Sequence, residues 1–188
     1  MNKILLVILA ILVLCSCETT TGTTTTSSNR QVLSISGYPS KPDLVVYEYC
    51  KADAYGSRLT DETSELTSRY YSANSPPELG WNYIYLIRDY KIQQTIEKGD
   101  TAVVYVIYDY MATLNVDKSD VYVEDMPFLV EFNLVRERNL WKIAAFKTLP
   151  CVYKETALAY LKERFKGSGN QRQEDEMLSL IQKVKTLE

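Results

Sequence analysis

Hydrophobic and polar positions alternate most clearly between Asp100 and Lys147, where three runs are dense in β-forming residues: Ala102–Ala112, Phe128–Arg136 and Leu140–Phe146. In Phe128–Arg136, Phe128, Val130, Phe132 and Leu134 share one face and Glu131 and Asn133 the other, the pattern of a half-buried strand. In Ala102–Ala112, Val103, Tyr105, Ile107 and Asp109 fall on one face and Val104, Val106, Tyr108 and Tyr110 on the other. Both faces are largely apolar, which predicts a central strand covered on two sides. Trp81–Ile96 reads as a further strand, broken near Arg88-Asp89, with a hairpin turn at Lys98-Gly99-Asp100. A tight turn at Glu137-Arg138-Asn139 completes a meander of antiparallel strands. Asn115–Met126 reads as a polar, acidic loop, and Leu149-Pro150-Cys151 ends the sheet.

Helical spacing brackets this block. Ser40-Lys41-Pro42-Asp43 is a helix start, with Ser40 able to cap. Val46, Tyr49, Cys50 and Ala54 then share a face, Asp53 projects onto that same apolar side, and Gly56 stops the helix. A second helix is expected from the cap at Thr60, with Leu66 and Tyr70 as its apolar stripe and Pro76-Pro77 closing it. Beyond the sheet, Thr156–Lys166 carries Leu158, Leu161 and Phe165 on one stripe. Gly167-Ser168-Gly169-Asn170 breaks it, and Glu174–Leu187 is amphipathic with Met177, Leu178, Ile181 and Val184 on one side.

The start of the chain is of another kind. Met1-Asn2-Lys3 precedes an apolar run, Ile4–Leu14, too short to cross a bilayer of about 30 Å but fit for the core of a secretory signal. The following Leu14-Cys15-Ser16-Cys17 resembles the bacterial lipoprotein lipobox, with Cys17 as the acceptor and Leu14 and Ser16 in the matching positions. That resemblance implies a signal peptide at 1–16, acylation of Cys17 including palmitate, and stable anchoring by two or more chains. Glu18 follows the cysteine in place of an inner-membrane-retaining Asp, so the expected location is the cell envelope, at the outer membrane facing the periplasm or outside. Residues 17–38, nearly all Thr and Ser at their start, read as a disordered tether, with Val32, Leu33 and Ile35 as a candidate edge strand. The folded part divides into 39–150 and a helical extension, 151–188.

Composition narrows the chemistry. The net charge is −3 with no long basic run, so no nucleic-acid partner is expected. The chain has no histidine, which removes the commonest general base and metal ligand and every histidine-dependent triad. No phosphate loop, nucleophile elbow or Cys/His zinc pattern is present, and no cofactor or metal is expected. Asn115, Asp117, Asp120, Glu124 and Asp125 lack the Gly and terminal Glu of a calcium loop and read as solvated. Fifteen tyrosines against four phenylalanines suit half-buried sheet faces and wet pockets.

Two helices followed by a sheet that ends in an aromatic strand resemble the nuclear transport factor two-like superfamily. The matching residues are Gly99-Asp100-Thr101-Ala102-Val103-Val104, Pro127-Phe128-Leu129-Val130-Glu131-Phe132 and Asn139-Leu140-Trp141-Lys142-Ile143. The resemblance covers about Pro39–Phe146 and implies an α+β fold. N-terminal helices pack on a curved antiparallel sheet, a cystatin-like cone, with the first helix in its hollow and the C-terminal helices appended. Enzymes of that superfamily use acid–base residues in the cone, commonly His or paired Asp, and no such motif carries over.

Several side chains are candidates for function. Asp53 and Asp109 sit on apolar faces, as buried acids or bases or as carboxylates merely paired with Arg88, Arg136 or tyrosine hydroxyls. Tyr83, Tyr85, Tyr105, Tyr108 and Tyr110 can line a ligand pocket or simply pack the sheet. Cys50 and Cys151 remain once Cys15 is removed and Cys17 is acylated. An oxidising envelope favours a disulfide between them over two buried thiols. The expected function is a membrane-anchored, non-enzymatic module binding a small hydrophobic ligand or an envelope protein. The alternatives are an isomerase, dehydratase or cyclase using Asp53 or Asp109 with tyrosines, and a structural homodimer paired through the outer sheet face.

Overall fold

Strand formation dominates the computed structural model, which describes residues 37–73, 75, 81–166 and 170–187. Cys17, the tether up to residue 36 and the expected Val32–Ile35 strand lie outside the described residues, whereas Tyr38, at the tether's expected end, packs against the core and donates to the Trp141 carbonyl at 2.6 Å. Helix α1 spans Pro42–Ala54 and α2 Glu65–Ser68. Strands β1 to β5 span Tyr83–Lys98, Thr101–Asn115, Asp120–Val123, Phe128–Glu137 and Leu140–Ala145. The chain ends with β6 (Cys151–Tyr153), α3 (Lys154–Arg164) and α4 (Gln171–Lys185). The sheet order is β5-β4-β2-β1-β6, with β3 added to the far end of β2. Among these strands all pairings are antiparallel except β1 with β6, and a parallel bridge joins Tyr71 to Ile143. The fold is therefore α+β, a strongly curled and mainly antiparallel sheet with helices before and after it.

The hairpin turns follow from the backbone. Gly99 adopts φ 62° in the two-residue β1–β2 link, and Arg138 and Asn139, at φ 50° and 67°, form the equally short β4–β5 link. Register shifts at Leu86/Ile87, Ile87/Asp89 and Ile92/Gln94 bend β1 against β2. The shift at Arg88 falls where the sequence predicts a break, yet the strand continues through it.

Helix α1 lies in the hollow of the sheet. Val45, Val46, Tyr49, Cys50 and Ala54 recur at helical spacing and join Ile87, Tyr90, Val104, Val106, Tyr108, Val130, Phe132 and Leu134 in one core. Leu86, next to Ile87, points the other way. It joins Ile84, Ala112, Leu114 and Val152 in a second core closed by Ala157 and Leu161 of α3 and Met177, Leu180 and Val184 of α4. The C-terminal helices therefore cover the back of one end of the sheet and do not cap the hollow. Both cores belong to one compact unit, Leu33–Glu188, which carries the contacts an independently folding domain needs.

Several local expectations change. The cap of α1 is Lys41, without a side-chain hydrogen bond, and Pro42 opens the helix. The second helix shrinks to four residues, and Leu66 faces solvent. Before it, the Thr63 hydroxyl donates to the Gly56 carbonyl at 3.2 Å, with the Ser57 carbonyl at 3.4 Å, holding Gly56–Ser64 as turns. The acidic loop contains β3, pairing Val121–Val123 with Ala112–Leu114. The boundary at residue 150 is not a break, because β6 hydrogen-bonds along β1. Helix α4 starts at its Asn170 cap and buries Leu180, while Leu178 is exposed. Strand β2 is central, but its Val103–Ile107 face is only partly covered, because α3 and α4 reach just its far end.

Candidate functional site

The last turn of α1 places Asp53 at the rim of the hollow, fully buried. Gly56, at φ 88°, then reverses the chain, and an added Cβ there would sit 2.9 Å from Thr156 Cγ2. This reversal carries Arg58 back beneath the helix end, where it is 2% exposed. Its guanidinium pairs with Asp53 Oδ2 at 3.4 Å and donates to the carbonyls of Thr148 (3.0 Å) and Leu149 (3.3 Å). Trp81 and Phe146 lie against it, with ring centroids at 4.9 and 5.3 Å. Asp53 Oδ2 also accepts from the Cys151 backbone N–H at 3.1 Å. One turn of helix, one glycine reversal and the β6 entry are thus joined by a single buried ion pair.

That pair leaves donors and acceptors over. Among the described residues, Asp53 Oδ1, Arg58 Nε and the Ser57 hydroxyl have no hydrogen-bond partner. Burial outweighs Arg58 and the Cys151 N–H and lifts the Asp53 carboxyl from 3.8 to about 6. Between those values the folded protein holds a proton that the unfolded chain has released, so stability falls as pH rises through the window and levels off above it. A loss of about 2 kcal/mol from this group is expected between pH 4 and pH 7. Urea unfolding at stepped pH should show that fall in the wild type and not in Asp53→Asn; parallel curves would remove the assignment.

Arg58 also lines a cleft of about 890 Å³. Its walls are Tyr71, Trp81, Tyr85, Phe128 and Phe146, with Val130, Ile143 and Ala144–Leu149 along one side. Tyr85 and Phe128 meet edge to face at 5.2 Å, and Phe146 stacks on Phe132 at 4.8 Å, so the walls are braced by the core. The Ser75 hydroxyl donates to the Ala144 carbonyl and ties Ser75 to the edge of β5. Backbone bonds from Ile143 N–H to Tyr70 O and from Ser72 N–H to Ile143 O tie Tyr70 and Ser72 to the same strand, each at 2.8 Å.

The structure sorts the sequence-predicted residues. Tyr85 faces the cleft, whereas Tyr83 is exposed and Tyr105 lies half-buried on the outer face. Tyr108 is core, 3.1 Å from Cys50 Sγ, and Tyr110 packs behind Tyr85 and Phe128. Asp109 is not buried. It stands on the outer face, accepting from Arg88 at 3.2 Å, because β2 turns that edge to solvent. Asp53 is buried but does not line the cleft. The loop acids disperse into pairs: Asp120 with Lys183 and Asp125 with Arg88.

The expected Cys50–Cys151 disulfide is absent, and both residues are free, buried thiols. Their sulfurs are engaged elsewhere, Cys50 with the Tyr108 hydroxyl and Cys151 donating to the Leu149 carbonyl at 3.4 Å. Burial pushes both thiols well above the ordinary range, so neither is reactive as a thiolate. A thiol reagent should find none in native Leu33–Glu188 and two after unreduced denaturation. A count of zero after denaturation would restore the disulfide.

Sequence reasoning passed over Arg58, Trp81 and Phe146. Arg58 stands just past the Gly56 helix stop, where no periodicity places a side chain, and only the left-handed Gly56 reveals that it folds back. Phe146 closes a strand whose pattern shows burial but not which cavity it borders.

No family model and no curated protein matches the chain. Among solved structures, the chain is similar to the crystal structure of the intermembrane space region of the chloroplast protein ARC6. The identity is 11% and the TM-score 0.34, over 57% of this chain and 93% of that one.

Proposed function

We propose that the protein is a lipid-anchored, non-enzymatic module of the nuclear transport factor two-like kind, which binds a small hydrophobic ligand in the cleft beside Arg58. The carrying observation is the cleft itself: about 890 Å³, walled by Trp81, Tyr85, Phe128 and Phe146. That volume falls within the roughly 300–1,000 Å³ of small-molecule sites, as does a mostly apolar lining with few polar groups. Binding is favoured over acid–base chemistry because neither candidate aspartate lines this space: Asp53 is held behind Arg58 and Asp109 is on the outer face. The lipobox-like Leu14–Cys17 supplies the anchor and with it the envelope location.

Two measurements test the reading. A neutral fluorescent probe, N-phenyl-1-naphthylamine, should bind Leu33–Glu188 at one site. Ala145→Trp, a bulky substitution at an exposed position in the lining, should weaken it by at least about tenfold without changing the unfolding midpoint. Binding indifferent to Ala145→Trp, or no binding of either this probe or its sulfonated analogue 8-anilino-1-naphthalenesulfonate, refutes the cleft. Cys17→Ser should abolish palmitate labelling of the full chain in bacteria; retained label refutes the anchor.

A further inference from the structure

Two cations, Arg58 and Lys147, are the charged groups among the described residues lining the cleft, and no described carboxylate faces it. Arg58 is the unusual one, being almost wholly buried. Its one acidic partner, Asp53, lies behind it at 3.4 Å, long for a charged hydrogen bond, and its Nε–H has no acceptor among the described residues. A guanidinium has five N–H donors in a planar fork suited to a carboxylate or sulfonate. Lys147 is exposed and joins Arg58 in the lining. The aromatic walls are of the other chemistry: flat, apolar and braced from behind.

We propose that the ligand of this cleft is an amphipathic organic acid. A planar or compact apolar body lies between Tyr85, Phe128 and Phe146, and one anionic group is held toward Arg58 and Lys147. This rests on the cleft being a binding site, and it adds the sign and number of the ligand's charge. A neutral apolar ligand would leave the Arg58 Nε–H without an acceptor, and a cation would be repelled by both basic groups.

The test uses two probes that differ by one sulfonate, N-phenyl-1-naphthylamine and 8-anilino-1-naphthalenesulfonate, titrated into Leu33–Glu188. Lys147→Glu, at an exposed position that leaves the core intact, should weaken the sulfonate on the order of tenfold and leave the neutral probe unchanged. Asp53→Asn combined with Arg58→Met removes the buried charges together, so that neither is left unpaired, and should act in the same selective way. If Ala145→Trp displaces both probes but Lys147→Glu weakens them equally or not at all, the anionic preference is wrong while the cleft stands. If neither probe binds, the cleft reading has failed first.

Discussion

Arg58→Met should cost about 3–5 kcal/mol of stability, the range for breaking a buried ion pair from one side. Arg58 does three things at once in this fold. It faces the fully buried Asp53, donates to the Thr148 and Leu149 carbonyls that precede β6, and carries Trp81 and Phe146 on its guanidinium. Methionine keeps most of the stem's bulk but leaves Asp53 with only the Cys151 N–H, so the carboxylate must stay unpaired or take up a proton. Adding Asp53→Asn should recover a large part of the loss, because a neutral amide can still accept from Cys151. Urea unfolding of the two single variants and the double variant at pH 7 gives the coupling directly. Strictly additive losses would show that the pair does not organise this corner.

The strands were legible from alternation because β4 has one wet and one dry face: Glu131 and Asn133 oppose Val130, Phe132 and Leu134. Helix α1 was legible for the same reason at helical spacing. Elements whose partners are remote in sequence were not. Strand β6 is three residues long, and only its pairing with Tyr85–Ile87 makes it a strand. Strand β3 hides between acidic residues and is defined by its register against Ala112–Asn115. Leu178 and Leu180 exchanged roles because one turn of helix gives both an apolar neighbour. The partner face, here β1, β2 and α3, decides which is buried.

The candidate site was legible in its residue types and wrong in its placement. Tyr85 was named with four other tyrosines, and alternation alone could not separate cleft from core from outer face. The register shifts in β1 and β2 reset the phase: Tyr85 and Ile87 point inward before the shift at Arg88, and Tyr90 and Ile92 after it. Asp109 was misplaced on the assumption that both faces of β2 are fully covered. Arg58 could not be found by periodicity at all, since its position depends on a single left-handed residue.

Phe132→Ala should lower stability by about 3–5 kcal/mol, the range for removing a buried aromatic ring. Phe132 is fully buried at the middle of β4, stacked on Phe146 at 4.8 Å and edge-on to Tyr49 of α1 at 5.6 Å. Its ring therefore joins the helix in the hollow to the wall of the cleft. Truncation leaves a cavity that tightly hydrogen-bonded strands on both sides, β2 and β5, cannot collapse to fill. Asn133→Ala, one residue on but on the opposite face, should change stability by no more than about 0.5 kcal/mol. Phe132→Leu should lose less than the alanine variant in urea unfolding and still loosen Phe146, weakening N-phenyl-1-naphthylamine binding in a protein that remains folded. A loss below about 1 kcal/mol for Phe132→Ala would mean that α1 is not seated in the hollow of the sheet.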